Sequence, residues 1–434
     1  MSKALKYLSF CVLTLIMGSA AGAICWGLLQ IMNLGIGLIW DKLPTALGLE
    51  GSLLYSLAVC LAGGLVIGLM QKRHGVLPDN MEQVMGRLKK EGKYPYDRLH
   101  IIAIAFLLPL LFGGSVGPEA GLTGFIAGLC CLIADRLRYK AERLTALAET
   151  GFAASLSVIF GAPFFGLASN LEPDDRTETY KGKFLSKRKR IIMYCFGIAG
   201  GMLAFYVLGA LTGLSAGLPR FPVQHEVTVK QWLWAFPIMG IGIALALYYG
   251  LFAKITGIIG KKLASYRIVS CLIAGAVLAI CGEFFPLVMF SGEKQMHGII
   301  ELISTGPGAP GSDIMPGSSG ELALVFIITV LIKLMLISLC IDLGWKGGNI
   351  FPLIFCGTLA AFTVSWFIGI DYSFAATVLV ASMYGYLTRK PVTAIAILLL
   401  CFPVTYIVPL AASAFIASKV PNPFQRKQEA GQEN

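Results

Sequence analysis

The sequence predicts an all-α polytopic membrane protein built from many tilted, partly broken helices, and three observations predict it. Of 434 residues, 56% are hydrophobic and 14% are charged, and the mean hydropathy is +0.75, which no soluble domain of this size approaches. About a dozen apolar runs follow one another along the chain. Glycine and proline interrupt several of these runs before they reach the roughly 20 residues that a full helical span needs.

The apolar runs fall into two groups on either side of a polar segment. They lie at 8–33, 52–70, 101–116, 120–134, 144–171, 191–213, 231–253, 268–290, 322–342, 350–370, 373–387 and 391–418. The polar segment lies near the midpoint of the chain. We therefore divide the chain into a first half (1–213), a connector (214–230), a second half (231–420) and a cytoplasmic tail (421–434).

The net charge of +11 comes from basic residues that cluster in short loops between the apolar runs, as at 71–93, 135–140 and 181–190. Such clusters mark the cytoplasmic side of a plasma-membrane protein, and we expect both termini there. These clusters also favour contact with anionic membrane lipid. Because the positive charge is explained by these short loops, we expect no nucleic-acid partner. The chain offers no nucleophile–base pair, phosphate loop or metal-ligand cluster, so we expect neither an enzyme nor a cofactor or metal site.

Three glycine- and proline-containing breaks carry the functional prediction: HGVLP (74–78), GGSVGPE (113–119) and KGGNIFP (346–352). Irregular backbone inside a bilayer is tolerated only where it is buried in protein or lines a cavity. Glycine allows close approach of the backbone, and proline fits the first turn of a helix. Each break therefore predicts a helix N-terminus whose free N–H groups bind an anion without a full positive charge. Breaks in both halves are typical of inverted-repeat transporters.

These breaks define the candidate site. The predicted anion-binding residues are Gly75, Val76, Leu77, Ser115, Val116, Gly117, Pro118, Glu119, Gly348, Asn349, Ile350 and Phe351. Two interpretations of Glu119 stay open: a gate that titrates with transport, or a first-turn carboxylate that satisfies its own helix N-terminus. Glu172, at the cytoplasmic end of its run, is a second candidate for proton relay.

The breaks resemble motifs of the CLC family of chloride channels and proton-coupled chloride exchangers. GSVGPE (114–119) is similar to the family's G-(K/R)-E-G-P, GGNIFP (347–352) to its G-x-F-x-P, and HGVLPD (74–79) to its G-S-G-I-P. Further similar stretches, at 150–173 and 388–400, keep the family's order. The resemblance implies a CLC-type inverted repeat, a homodimer with a pore within each subunit, and transport of an inorganic anion. Chloride is the first expectation, with fluoride or nitrate as alternatives.

The chain also departs from the family's pattern, as in a divergent bacterial branch. In this alignment the family's gating glutamate falls on Val116, its chloride-contacting serine on His74 or Gly75, and its inner proton-relay glutamate on Pro173, the residue after Glu172. These departures predict channel-like conduction. The alternatives are a proton-coupled anion antiporter that uses Glu119, and a CLC-like scaffold that does not conduct and serves as a membrane interaction partner.

Overall fold

A computed structural model describes residues 3–137, 141–171, 186–213, 219–222, 227–305, 319–399 and 401–423. These residues are almost wholly helical, which confirms the all-α prediction. The helices are α1 (Lys3–Ile36), α2 (Leu43–Leu47), α3 (Leu53–His74), α4 (Met81–Glu91), α5 (Leu99–Leu111), α6 (Glu119–Arg136), α7 (Ala141–Phe160), α8 (Pro163–Leu171), α9 (Lys187–Thr212), α10 (Val229–Lys262), α11 (Arg267–Phe284), α12 (Glu293–Thr305), α13 (Ser319–Asp342), α14 (Ile350–Ile368), α15 (Tyr372–Thr388), α16 (Pro391–Leu398) and α17 (Ile407–Lys419).

The described helices are a mixture of full and partial spans. Seven are long and apolar enough to cross a membrane: Phe10–Leu47, Leu53–His74, Arg188–Thr212, Val229–Lys262, Arg267–Phe284, Ala323–Asp342 and Ile350–Ile368. Shorter apolar helices, such as Leu99–Leu111 and Leu144–Phe160, lie between them. A helix of 13 residues rises only about 20 Å, less than the hydrocarbon thickness, so it must end inside the protein. The prediction of partly broken helices is therefore confirmed.

Glycines let neighbouring helices approach until their backbones touch. On α1, a Cβ added to Gly18 would lie 1.9 Å from the Gly197 carbonyl oxygen of α9, and one on Gly22 would lie 2.1 Å from the Gly201 oxygen. On each helix the two glycines are four residues apart, so they lie on the same face of that helix. Small residues at this spacing are the usual contact between helices in lipid, where apolar burial gives no preference for protein over lipid tails.

The helices that follow the broken segments lie at the centre of the protein. Most residues of α6 and α14 are buried, and α15 is buried from Tyr372 to Tyr386. Consequently the starts of α6 and α14 face protein and not lipid, which is where irregular backbone is permitted. Of the connector, the structure describes 219–222 and 227–230, and of the tail, 421–423. The division of the chain into two repeats therefore stays a prediction.

A buried ion pair joins α7 to α9. Glu149, 1% exposed, accepts hydrogen bonds from Arg190 Nη2 (2.9 Å) and Nε (3.1 Å), and also from the Tyr194 hydroxyl. We expect Glu149→Gln to lower the free energy of unfolding by about 3 kcal/mol, because it removes the buried carboxylate charge that holds both Arg190 and the Tyr194 hydroxyl. The midpoint of thermal unfolding in detergent measures this. Glu82→Gln, at an exposed residue of α4, is the control, and equal midpoints for both variants would contradict the expectation.

Candidate functional site

The breaks at 113–119 and 346–352 meet in the interior of the protein. The Gly117 N–H donates to the Gly348 carbonyl at 2.7 Å, and the Gly348 N–H donates to the Gly117 carbonyl at 2.7 Å. Each glycine lies two residues before a helix, so this antiparallel bridge brings the N-termini of α6 and α14 together. Both predicted helix starts are thus found, and they form one junction.

The glycines of this junction leave space for a carboxylate. A Cβ on Gly117 would lie 2.0 Å from Glu119 Oε2, and one on Gly348 would lie 1.9 Å from Glu119 Cδ. A Cβ on Gly347 would lie 2.6 Å from that of Val116. No side chain fits at these distances. The close approach that the glycines were predicted to allow is, in this structure, the approach of Glu119.

Glu119 is the first residue of α6 and is only 1% exposed. Its Oε1 accepts a 2.7 Å hydrogen bond from the Ile350 N–H of α14, and the N–H groups of Glu119 and Phe351 also face the carboxylate. Its Oε2 has no hydrogen-bond partner among the described residues. The carboxylate therefore occupies the positive end of α14, in the other half of the chain, as well as that of its own helix. Neither interpretation of Glu119 anticipated a bond to the opposite helix.

The groups that hold this carboxylate can hold an inorganic anion equally well. Free N–H groups at a helix start bind negative charge of any kind, because they act through hydrogen bonds and the helix dipole. A carboxylate oxygen and an anion cannot accept from the same Ile350 N–H at the same time. Binding of an anion here requires Glu119 to move, so the two compete.

Several predicted N–H donors are already occupied, which differs from the expectation. Val116 donates to the Gly114 carbonyl at 2.8 Å, and the Gly117 and Gly348 N–H groups are used in the bridge. Pro118 has no N–H, and Val116 is fully buried. Among the described residues, the N–H groups that face the carboxylate are those of Glu119, Ile350 and Phe351.

Two polar side chains of the predicted set have different surroundings. Ser115 Oγ is fully buried and has no hydrogen-bond partner among the described residues. Asn349 Nδ2 donates to the Tyr249 hydroxyl of α10 at 3.1 Å. Nothing in the sequence pattern marks Tyr249, because it is one of two adjacent tyrosines within an apolar run, 100 residues before Asn349. It places a hydroxyl beside the start of α14.

The third break does not start a helix where the pattern predicted one. Gly75 ends α3 with φ +85°, and α4 begins only at Met81. Asn80 caps α4: its side chain accepts from the Gln83 N–H, and the Gln83 side chain accepts from the Asn80 N–H. Gly75, Val76 and Leu77 therefore precede the helix and offer no helix-terminal donors. Glu172 lies outside the described residues.

Aromatic side chains cover the junction on one side. The Phe351 ring stacks on Phe160, at the end of α7, with ring centroids 4.7 Å apart, and Phe160 meets Phe165 of α8 edge-to-face. All three are buried. Part of the 150–173 stretch thus forms an apolar wall, which limits water around the charged groups and strengthens their electrostatic interactions.

Comparison with known proteins shows which protein family the chain resembles. The family model "Voltage gated chloride channel" matches residues 58–422. A "Chloride/fluoride channel protein" of Pseudomonas syringae pv. tomato is 23% identical over 331 residues, which cover 75% of this chain and 66% of that protein.

Two solved structures match in fold. A slow cyanobacterial Cl⁻/H⁺ antiporter superposes with a TM-score of 0.78 at 15% identity, and a CLC-type fluoride/proton antiporter with a TM-score of 0.70 at 18% identity. Each match covers 98% of both chains. The resemblance drawn from the three breaks and the CLC-type fold are therefore confirmed, and so is the expectation that the chain is not an enzyme. The chain belongs to the CLC family of anion transport proteins, and it is a multi-pass membrane protein.

Proposed function

We propose that the protein is a proton-coupled anion exchanger in which Glu119 is the gate. When deprotonated, Glu119 occupies the junction of α6 and α14. When protonated, it leaves and an anion takes its place on the N–H groups of Ile350 and Phe351. The observation that carries the proposal is the 2.7 Å hydrogen bond between Ile350 N and Glu119 Oε1, made by a carboxylate whose second oxygen has no described partner.

A second register of the family motif supports this assignment. G-(K/R)-E-G-P can also be placed on Gly117-Pro118-Glu119-Ala120-Gly121, which keeps its first glycine and its glutamate. The register that puts the gating glutamate on Val116 is one of the two departures from which channel-like conduction is predicted; the other is the inner proton-relay position. Val116 is buried with its N–H already bonded, whereas the Glu119 carboxylate accepts a hydrogen bond from the start of the opposite helix, α14. The exchanger alternative therefore has the stronger support.

Chloride is the first expected substrate, and fluoride the second. The related channel protein is described as a chloride and fluoride channel. Of the two superposed antiporters, one is described with chloride and the other with fluoride. Nitrate is a third candidate. We further propose a homodimer with one pore in each subunit, located in the plasma membrane with its termini in the cytoplasm. The basic C-terminal ends of α3 and α10 fit that orientation.

The test is flux from liposomes reconstituted with the purified protein. The vesicles are loaded with chloride, the voltage is clamped with a potassium ionophore, and anion efflux and external pH are recorded together. Vesicles without protein give the background. Efflux accompanied by opposed proton movement is the expected result.

The other outcomes separate the alternatives. Efflux without proton movement would contradict exchange and favour the channel-like alternative. Absence of chloride efflux leads to the same assay with fluoride and then nitrate. If none of the three ions moves, anion transport at this site is contradicted and the non-conducting interaction partner is left.

A further inference from the structure

Lys333 is a charged residue in the middle of the apolar helix α13, and no part of its side chain is exposed. Its ammonium is enclosed by backbone carbonyls from the turn after α11. The Nζ atom lies 3.0 to 3.1 Å from the oxygens of Leu287, Val288, Met289 and Phe290. On another side it lies 4.9 Å from the centroid of the Phe355 ring of α14.

The described groups that surround the Lys333 ammonium carry no negative charge. Within the described residues, no Asp or Glu lies within ion-pair distance of Lys333, and the titratable side chains near it are the thiols of Cys340 and Cys356. Placing an unpaired ammonium inside a membrane protein is costly, and a methionine or leucine would fill the same volume without that cost. The carbonyl cage keeps the charge in place without neutralising it. Such a charge inside a membrane is by default functional.

Three contacts place this charge beside the anion site. Phe290, in the carbonyl cage, donates its N–H to the Gly113 carbonyl at 3.1 Å, in the break that leads to Glu119. Phe355 lies four residues after Phe351, on the same face of α14. Cys340, near Lys333, faces the Ser115 N–H. Lys333 is thus connected to the junction in three ways: through the turn that contains Phe290, through α14, and through the Cys340 thiol.

We propose that Lys333 determines the affinity of the site for anions. From its position on α13, beside Phe355 of α14, it supplies a fixed positive potential at the junction. The inference rests on the proposed anion site at Ile350 and Phe351. Lys333 does not touch the ion. Its full charge adds to the partial charges of the two helix starts, and charge–charge energies at a given distance are larger in an interior of low dielectric constant than in water. The caged ammonium also turns four carbonyl dipoles, which repel anions, toward itself.

The test compares Lys333→Met, which keeps the volume, with Lys333→Arg, which keeps the charge. Anion flux is measured as a function of anion concentration in the liposome assay. We expect Lys333→Met to raise the apparent KM for the anion by about tenfold, with a smaller change in maximal rate. Lys333→Arg should stay within about twofold of the wild type. Lys254→Met removes the same charge from an exposed position of α10 and is the matched control.

The outcomes are distinct. If Lys333→Met folds and keeps the wild-type KM, the proposal is wrong; a residue that only held the turn would lower yield and maximal rate and leave KM unchanged. If Lys333→Met does not fold, Cys356→Asp adds a carboxylate beside the ammonium, with Cys356→Asn as control. An unchanged KM in Cys356→Asp also overturns the proposal, and a raised one supports it. Failure of the proposed function is seen separately, in the wild type, as absence of anion flux or as anion flux without opposed proton movement.

Discussion

Glu119→Ala is expected to abolish proton movement while anion flux continues. The variant removes the Glu119 carboxylate from the junction and leaves the N–H groups of Ile350 and Phe351 open to the ion. A hydrogen bond to a charged group contributes about 1.5–3 kcal/mol, so an anion that no longer displaces Glu119 should bind about tenfold more tightly or better. Paired recordings of anion efflux and external pH measure both effects.

The pH dependence follows from the same competition. Protonation removes the negative charge that holds Glu119 on the two helix starts, so wild-type flux should rise as the pH falls. Glu119→Ala and Glu119→Gln lack the titrating group, and their flux should be independent of pH. Glu82→Gln, at the exposed start of α4, should behave as the wild type. A Glu119→Ala protein that keeps proton movement and the wild-type pH profile would refute the gate.

Gly348→Ala is expected to lower anion flux by about a hundredfold without unfolding the protein. The added methyl would lie 1.9 Å from Glu119 Cδ and 2.0 Å from Oε1. Overpacking of this kind usually costs about 1–3 kcal/mol, but here the obstructing atoms end a flexible side chain that can move away. The methyl then fills the place that the carboxylate held. Flux per folded protein and the thermal unfolding midpoint measure the two expectations.

The double variant Glu119→Ala/Gly348→Ala asks whether the carboxylate and the anion share one place. If they do, the methyl obstructs the anion with or without Glu119, and the flux should stay low. Recovery of flux in the double variant would show that the anion binds elsewhere. Gly240→Ala, where a Cβ meets nothing within 4 Å, is the matched control and should leave anion flux unchanged.

Local patterns predicted the helix starts well but not their relation to each other. Pro118 and the pair Gly347-Gly348 have backbone preferences that do not depend on distant residues. These preferences were therefore enough to predict helices that start near 118 and 350. The pairing of Gly117 with Gly348 joins residues more than 200 positions apart. The Ile350–Glu119 hydrogen bond and the Tyr249–Asn349 contact depend on that pairing, and no local pattern reports it.

The third break shows a local signal that was misread. Pro78 and Gly75 suggested a helix start, but Asn80 followed three residues later by Gln83 is a capping box, and the structure uses it. The box satisfies the first N–H groups of α4 with its own side chains, so this terminus differs from the other two. Weighing the Asn80–Gln83 pair against Pro78 would have placed the start of α4 correctly.

The bridge between Gly117 and Gly348 also constrains how a transport cycle can work. Separating the two halves at this point would break two backbone hydrogen bonds deep in the membrane, where each unsatisfied group costs several kcal/mol. Rotating the Glu119 side chain out of the junction breaks the hydrogen bond from Ile350 and the weaker contacts with the N–H groups of Glu119 and Phe351, and leaves the backbone bridge intact. Side-chain rotation is intrinsically much faster than collective domain motion. Turnover is therefore expected to be limited by protonation and desolvation of a single carboxyl group, with the protein backbone clamped throughout.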